Sequence, residues 1–169
     1  MERSRTVSIL VNKPLSRENC NRNSVDYLLD YWDKKLPVDP LLLLEKIGGS
    51  LKVYDGERDA YYPGSGMTLY VSAAVMDGYP QWESRFIIGR ELQFLVRRIS
   101  SLNLSIRDEL FVSMQKMSMR LLLPLTEMTY RIARSVPASE ISTEFSCPLP
   151  ILDEYIRKHI SKGRLPHWP

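Results

Sequence analysis

From Glu83 to Pro124 the sequence reads as two long helices with almost nothing between them. Residues 83 to 100 carry Ile88, Leu92, Leu95, Val96 and Ile99 on one face at helical spacing, which places Arg85, Arg97 and Arg98 toward the outside. Residues 103 to 124, NLSIRDELFVSMQKMSMRLLLP, form the second helix. Ser105 and Asp108 at its start resemble a capping box, and Pro124 closes it. Met114, Met117 and Met119 read as core filler.

Around this pair the chain is mixed. Residues 25 to 35 have Val25, Leu28, Leu29 and Trp32 on one stripe, with Ser24 as a candidate N-cap. In VDPLLLLEKIGG, Asp39 is a good N-cap, Pro40 suits the first helical position and Gly48-Gly49 ends the helix. LKVYD (51 to 55) alternates as a strand, GERDAYYPGSG is a loop, MTLYVSAAV (67 to 75) is a second strand and MDGYPQW a turn. After Pro124 come three short helical units, 126 to 135, 138 to 146 and 150 to 161, separated by prolines. The order of elements predicts an α+β fold with segregated parts. A length of 169 residues suits one domain, assigned to 25–161. Residues 1–24 are an arm whose TVSILV run is either a strand or a segment that docks on a neighbour, and 162–169 are a tail.

Composition narrows the function classes. A net charge of +3 permits an acidic partner without demanding one. No basic stripe interleaved with aromatics calls for nucleic acid. No apolar run nears the roughly 20 residues that span a bilayer, and the N-terminus lacks a cleavage pattern, so the expected location is the cytoplasm. The two cysteines, Cys20 and Cys147, are expected to be free. Tyr61 to Gly66 has glycines but not the Lys-Ser/Thr end of a phosphate loop. Both histidines, His159 and His167, fall in the last eleven residues, at a spacing that fits no short helical metal pair.

Within FIIGRELQFLVRR (86 to 98), RELQF occupies the frame of a zinc-peptidase helix, in which two histidines at i and i+4 hold the metal and the Glu after the first polarises its water. VDPLLLLEKIGGSLKVYDG resembles the opening of the ImmA/IrrE-type metallopeptidase-like family. ESRFIIGRELQFLV resembles that family's RFTIAHELGHFLL, and FVSMQKMSMRLLLP its second helical motif, with Leu121 to Pro124 in register. YRIARSVPASEISTEFSCPLPILDEYIRK resembles its helical tail. The likeness runs over roughly 38 to 160, in order. It implies a zincin-like minimal domain with a small antiparallel or mixed sheet. It also implies three lost ligands, at Arg90, Phe94 and Phe111, the last found by counting thirteen back from Pro124. Arginine is a donor only and phenylalanine has no lone pair. Glu91 alone matches a functional residue, the general base; Asp108 and Glu109 lie near but out of register. No metal or cofactor is expected. Phe94 and Phe111 are expected to pack on each other, with Glu91 turned away from Arg90 toward another cation.

Family members act on helix-turn-helix repressors and sit in mobile elements and stress-response loci. The resemblance therefore implies a catalytically inactive regulatory protein that binds a partner protein, a transcriptional regulator or a second copy of itself, with Arg90, Glu91, Arg97 and Arg98 as candidate contact residues. Two alternatives stand beside it. One is an unorthodox hydrolase using Glu91 with Asp108 or Glu109. The other is a toxin-like or nucleic-acid-binding regulator.

Overall fold

The computed structural model describes residues 20 to 33 and 35 to 160. The TVSILV run, His167 and the 162–169 tail lie outside them. Among the described residues there are seven α-helices and a three-stranded sheet: α1 (Cys20–Asp30), α2 (Pro40–Lys46), β1 (Ser50–Tyr54), β2 (Ala60–Tyr61), β3 (Thr68–Ser72), α3 (Gln81–Val96), α4 (Leu104–Leu122), α5 (Leu125–Ala133), α6 (Ala138–Glu144) and α7 (Leu149–His159). The α+β expectation holds, and the sheet is mixed: in the order β1-β3-β2, β1 runs parallel to β3 and β2 antiparallel to it.

The best-marked element is α2. The Asp39 carboxylate accepts hydrogen bonds from Leu41 N (2.9 Å) and Leu42 N (3.4 Å), Pro40 opens the helix, and Gly48 takes φ +80° just after it, a conformation costly for any residue with a Cβ. The other caps differ from expectation. Ser24 lies inside α1, fully buried, and donates to Gln93 Oε1 (2.9 Å). The expected boundary after residue 24 thus falls within a helix. At α4 the cap is Asn103, whose side chain accepts from Ile106 N (3.4 Å), while Ser105 is exposed in the first turn.

The second strand ends earlier than its apolar run. At Ser72 the side-chain hydroxyl accepts from Val75 N (3.3 Å), and Ser84 Oγ donates to Val75 O (2.7 Å). These bonds turn the chain into a π-helical turn, Ala74–Gly78, rather than letting the strand run to residue 75. The two-residue β2 arises inside the expected loop, paired to Tyr70 and Val71.

One core face of the sheet, Leu69 and Val71 with Ala60, is buried against α3. That helix is central: every residue from Ile87 to Leu95 is buried. It packs chiefly along α4, and the two approach closely at Gly89, where a Cβ would stand 2.6 Å from Ser118 Oγ. Arg85 is the largest departure from the amphipathic expectation. Because α3 is covered on most sides, Arg85 is interior. Its guanidinium donates to Val38 O (2.7 and 3.2 Å), Phe145 O (3.2 Å) and Ser146 O (3.2 Å).

The C-terminal helices build a second apolar cluster. Met128, Ile132, Ile141, Phe145, Leu152, Tyr155 and Ile156 close on Trp82, Leu122 and Leu123. Cys147 is buried there as a free thiol, as expected of it, and burial pushes its pKa up to about 12.

Candidate functional site

Successive helical residues project about 100° apart, so Arg90 and Glu91 leave α3 in different directions. Arg90 nonetheless folds back. Its Nε donates to Glu91 Oε1 at 3.0 Å and its Nη2 lies 2.9 Å from the same oxygen. Glu91 thus pairs with its own neighbour, because the flexible arginine stem spans the angle, while the Arg107 charge also acts on it; both members of the pair are interior, at 5% and 0% exposure. An isolated charge there would be prohibitively desolvated, so each group needs the other. The match is incomplete. Arg90 Nη2 and Glu91 Oε2 have no aligned hydrogen-bond partner. Burial pushes the Glu91 carboxyl above the usual carboxylate range, against the pull of the Arg90 charge.

Three of the expected positions converge here. Phe111, on α4, lies under the Arg90 guanidinium at 4.8 Å from its ring centroid, and Arg107 approaches the same ring at 5.2 Å. Phe94, one turn beyond Arg90, is fully buried in the main core. Phe111 thus packs with guanidinium groups, in place of the expected ring-to-ring contact with Phe94. A half-buried phenyl face offers a cation the negative side of its quadrupole. Arg107 is four residues before Phe111, on the same helical face, a spacing that could have revealed it in the sequence. Ser101 and Tyr62 are the parts that no spacing reveals. The Ser101 hydroxyl accepts from Tyr62 N (2.7 Å) and Ser101 N donates to Tyr62 O (2.9 Å), tying the α3–α4 link to the chain just beyond β2.

The candidate contact residues do not form one surface. Arg90 and Glu91 are interior. Arg97 is partly buried, with Nη2 2.9 Å from the Met117 sulfur and 3.4 Å from Ser24 Oγ. Arg98, exposed and in the left-handed region at φ +57°, donates to Gly66 O (2.5 Å). Asp108 and Glu109 are exposed, whereas Glu91 is sealed.

The donor set does not fit zinc. A guanidinium and two phenyl rings supply no lone pair where a zinc-peptidase helix supplies ligands. Among the described residues, no group of three His, Cys, Asp or Glu side chains is placed to hold a metal ion. Among the same residues, no helix is long and apolar enough to cross a membrane. No protein-family model, curated protein or solved structure matches the chain.

Proposed function

We propose that this chain is a regulatory protein with a zincin-like fold and a dead catalytic centre, which works in the cytoplasm by binding a partner protein. The partner class that the ImmA/IrrE resemblance favours is a helix-turn-helix transcriptional regulator, in the setting of a mobile element or stress-response locus. The observation that carries the reading is the buried Arg90–Glu91 pair stacked on Phe111. It fills the place of a metal site with groups that hold one another. A general base of this kind works on an activated water within hydrogen-bond reach, and a fully buried carboxylate bound by its neighbour is poorly placed for that. The same burial weighs against a hydrolase pairing Glu91 with the exposed Asp108 or Glu109.

Two measurements test the reading together. Metal analysis of the native chain, before and after incubation with zinc, should find no stoichiometric metal. Titration with purified helix-turn-helix regulators from the same locus should give a saturable 1:1 complex in which the regulator stays uncleaved. Stoichiometric zinc, or cleavage of the regulator that Glu91→Gln abolishes, would overturn it. Binding to nucleic acid alone, weakening steeply with salt, would favour the nucleic-acid-binding alternative.

A further inference from the structure

The outer face of α4 has a charge order that its own helix does not use. The inner side chains, Met114, Met117, Ser118 and Leu121, are buried, while Asp108, Glu109, Val112, Lys116 and Arg120 are exposed. At 100° per residue these five span about 120° of the helix surface. Both acids lie before Val112 and both bases after it. None of the four has an ion-pair partner among the described residues. They cannot pair within the helix. Asp108 and Lys116 are about 12 Å apart along the axis, whereas side chains meet only at i+3 or i+4. Nor does the helix dipole account for the order, since Asp108 and Glu109 stand beyond the first turn and Lys116 before the last. Between the charges Val112 is 57% exposed, and Leu104 in the first turn is 56% exposed. Four of the eleven exposed large apolar side chains among the described residues fall within 102–112, so apolar exposure gathers here.

We propose that a second copy of the chain docks on this face, α4 against α4 in antiparallel sense about a two-fold axis at Val112. Residues equally far from Val112 on either side then face one another, and each contact occurs twice. Asp108 stands opposite Lys116 of the other copy, with Glu109 beside it. Leu104 stands opposite the apolar stem of Arg120, and the two Val112 side chains meet at the axis. A parallel arrangement would instead set acid against acid and base against base. Val112 is one residue from the middle of α4, so the two helices overlap over nearly their whole length. A single helix pair is small for an interface, which makes the dimer a transient one. The contact uses none of Arg90, Glu91, Arg97 and Arg98, so it stands apart from the regulator binding proposed above.

Sedimentation equilibrium of the full-length chain, under reductant, tests this. The unaltered chain should show a monomer–dimer equilibrium that weakens as salt is raised. Asp108→Lys with Glu109→Lys sets like charges together and should raise the dissociation constant at least about tenfold. Adding Lys116→Glu and Arg120→Glu to the same chain reverses the charge order and should restore the dimer, so that misfolding is not the cause of its loss. All four side chains are exposed, and such positions tolerate substitution. An unaltered chain that stays monomeric to about 1 mM, a dimer indifferent to the double substitution, or no recovery in the fourfold variant would each overturn the proposal.

Discussion

Arg90 and Glu91 are neighbours in sequence, and the physical cost of their pair decides what substitutions there will do. Removing one member leaves a buried charge uncompensated, which costs about 3–5 kcal/mol. Arg90→Met should therefore lower unfolding stability by about that much at neutral pH, read as a fall in the urea midpoint at constant slope. Arg90→Met with Glu91→Leu should recover most of the loss, because two apolar groups of similar volume need no partners. The pair also carries a pH signature. Burial raises the folded-state pKa of Glu91 above its unfolded value. The folded state then holds the proton more tightly, so this group's favourable contribution is complete below the ordinary Glu range near 4. It is lost as pH rises through the raised folded value. In Glu91→Gln that component of the pH–stability curve should vanish. An unchanged curve would mean that Arg90 compensates the carboxylate fully.

At the scale of elements, the crossing of α3 and α4 depends on Gly89. Alanine there gains helix propensity, about 1 kcal/mol, but its Cβ meets Ser118 Oγ at 2.6 Å. Ser118 has little freedom to yield, since it is fully buried and donates to Phe86 O at 2.7 Å. Gly89→Ala should destabilise by about 1–3 kcal/mol. Gly89→Ala with Ser118→Ala removes the clashing oxygen and should be more stable than Gly89→Ala alone, a coupling that a double-mutant cycle of urea midpoints measures. The same helix shows where sequence reading succeeds and fails. Asp39, Pro40 and Gly48 mark α2 because capping is local chemistry. The apolar residues of α3 are legible as a helix, but periodicity assumes one wet face. With α3 covered on most sides, Arg85 and Arg90 had to go inside, a fact of tertiary packing. Likewise β2 owes its existence to register with β3, not to a propensity of Ala60 and Tyr61. At the candidate site, positions 90 and 111 came into view only through the family resemblance and the count back from Pro124; the backbone tie between Ser101 and Tyr62 was not legible, because it joins segments 39 residues apart.

At the scale of the described fold, two apolar clusters share Leu36, which packs against both, and Arg85 is a polar bond between them. Its donors hold Val38 O ahead of α2 and the carbonyls of Phe145 and Ser146 after α6. Two buried carbonyls and a half-buried one depend on one guanidinium, and an ammonium cannot present the same fork. Arg85→Lys should therefore loosen the C-terminal cluster more than the main core. Cys147 is the built-in reporter, since it immediately follows Ser146 and is buried in that cluster. With its thiol pushed up to about 12, almost no thiolate forms at pH 8, and the reactive species is the thiolate. In a Cys20→Ser background, which leaves one cysteine, Cys147 should label with a disulfide reagent only as fast as the cluster opens. Arg85→Lys should raise that rate by about tenfold or more, the effect of a local opening made roughly 1.4 kcal/mol easier. Amides of Leu92 and Leu121 in the main core should stay protected. Equal loss of protection at both places would show that the two clusters open as one unit.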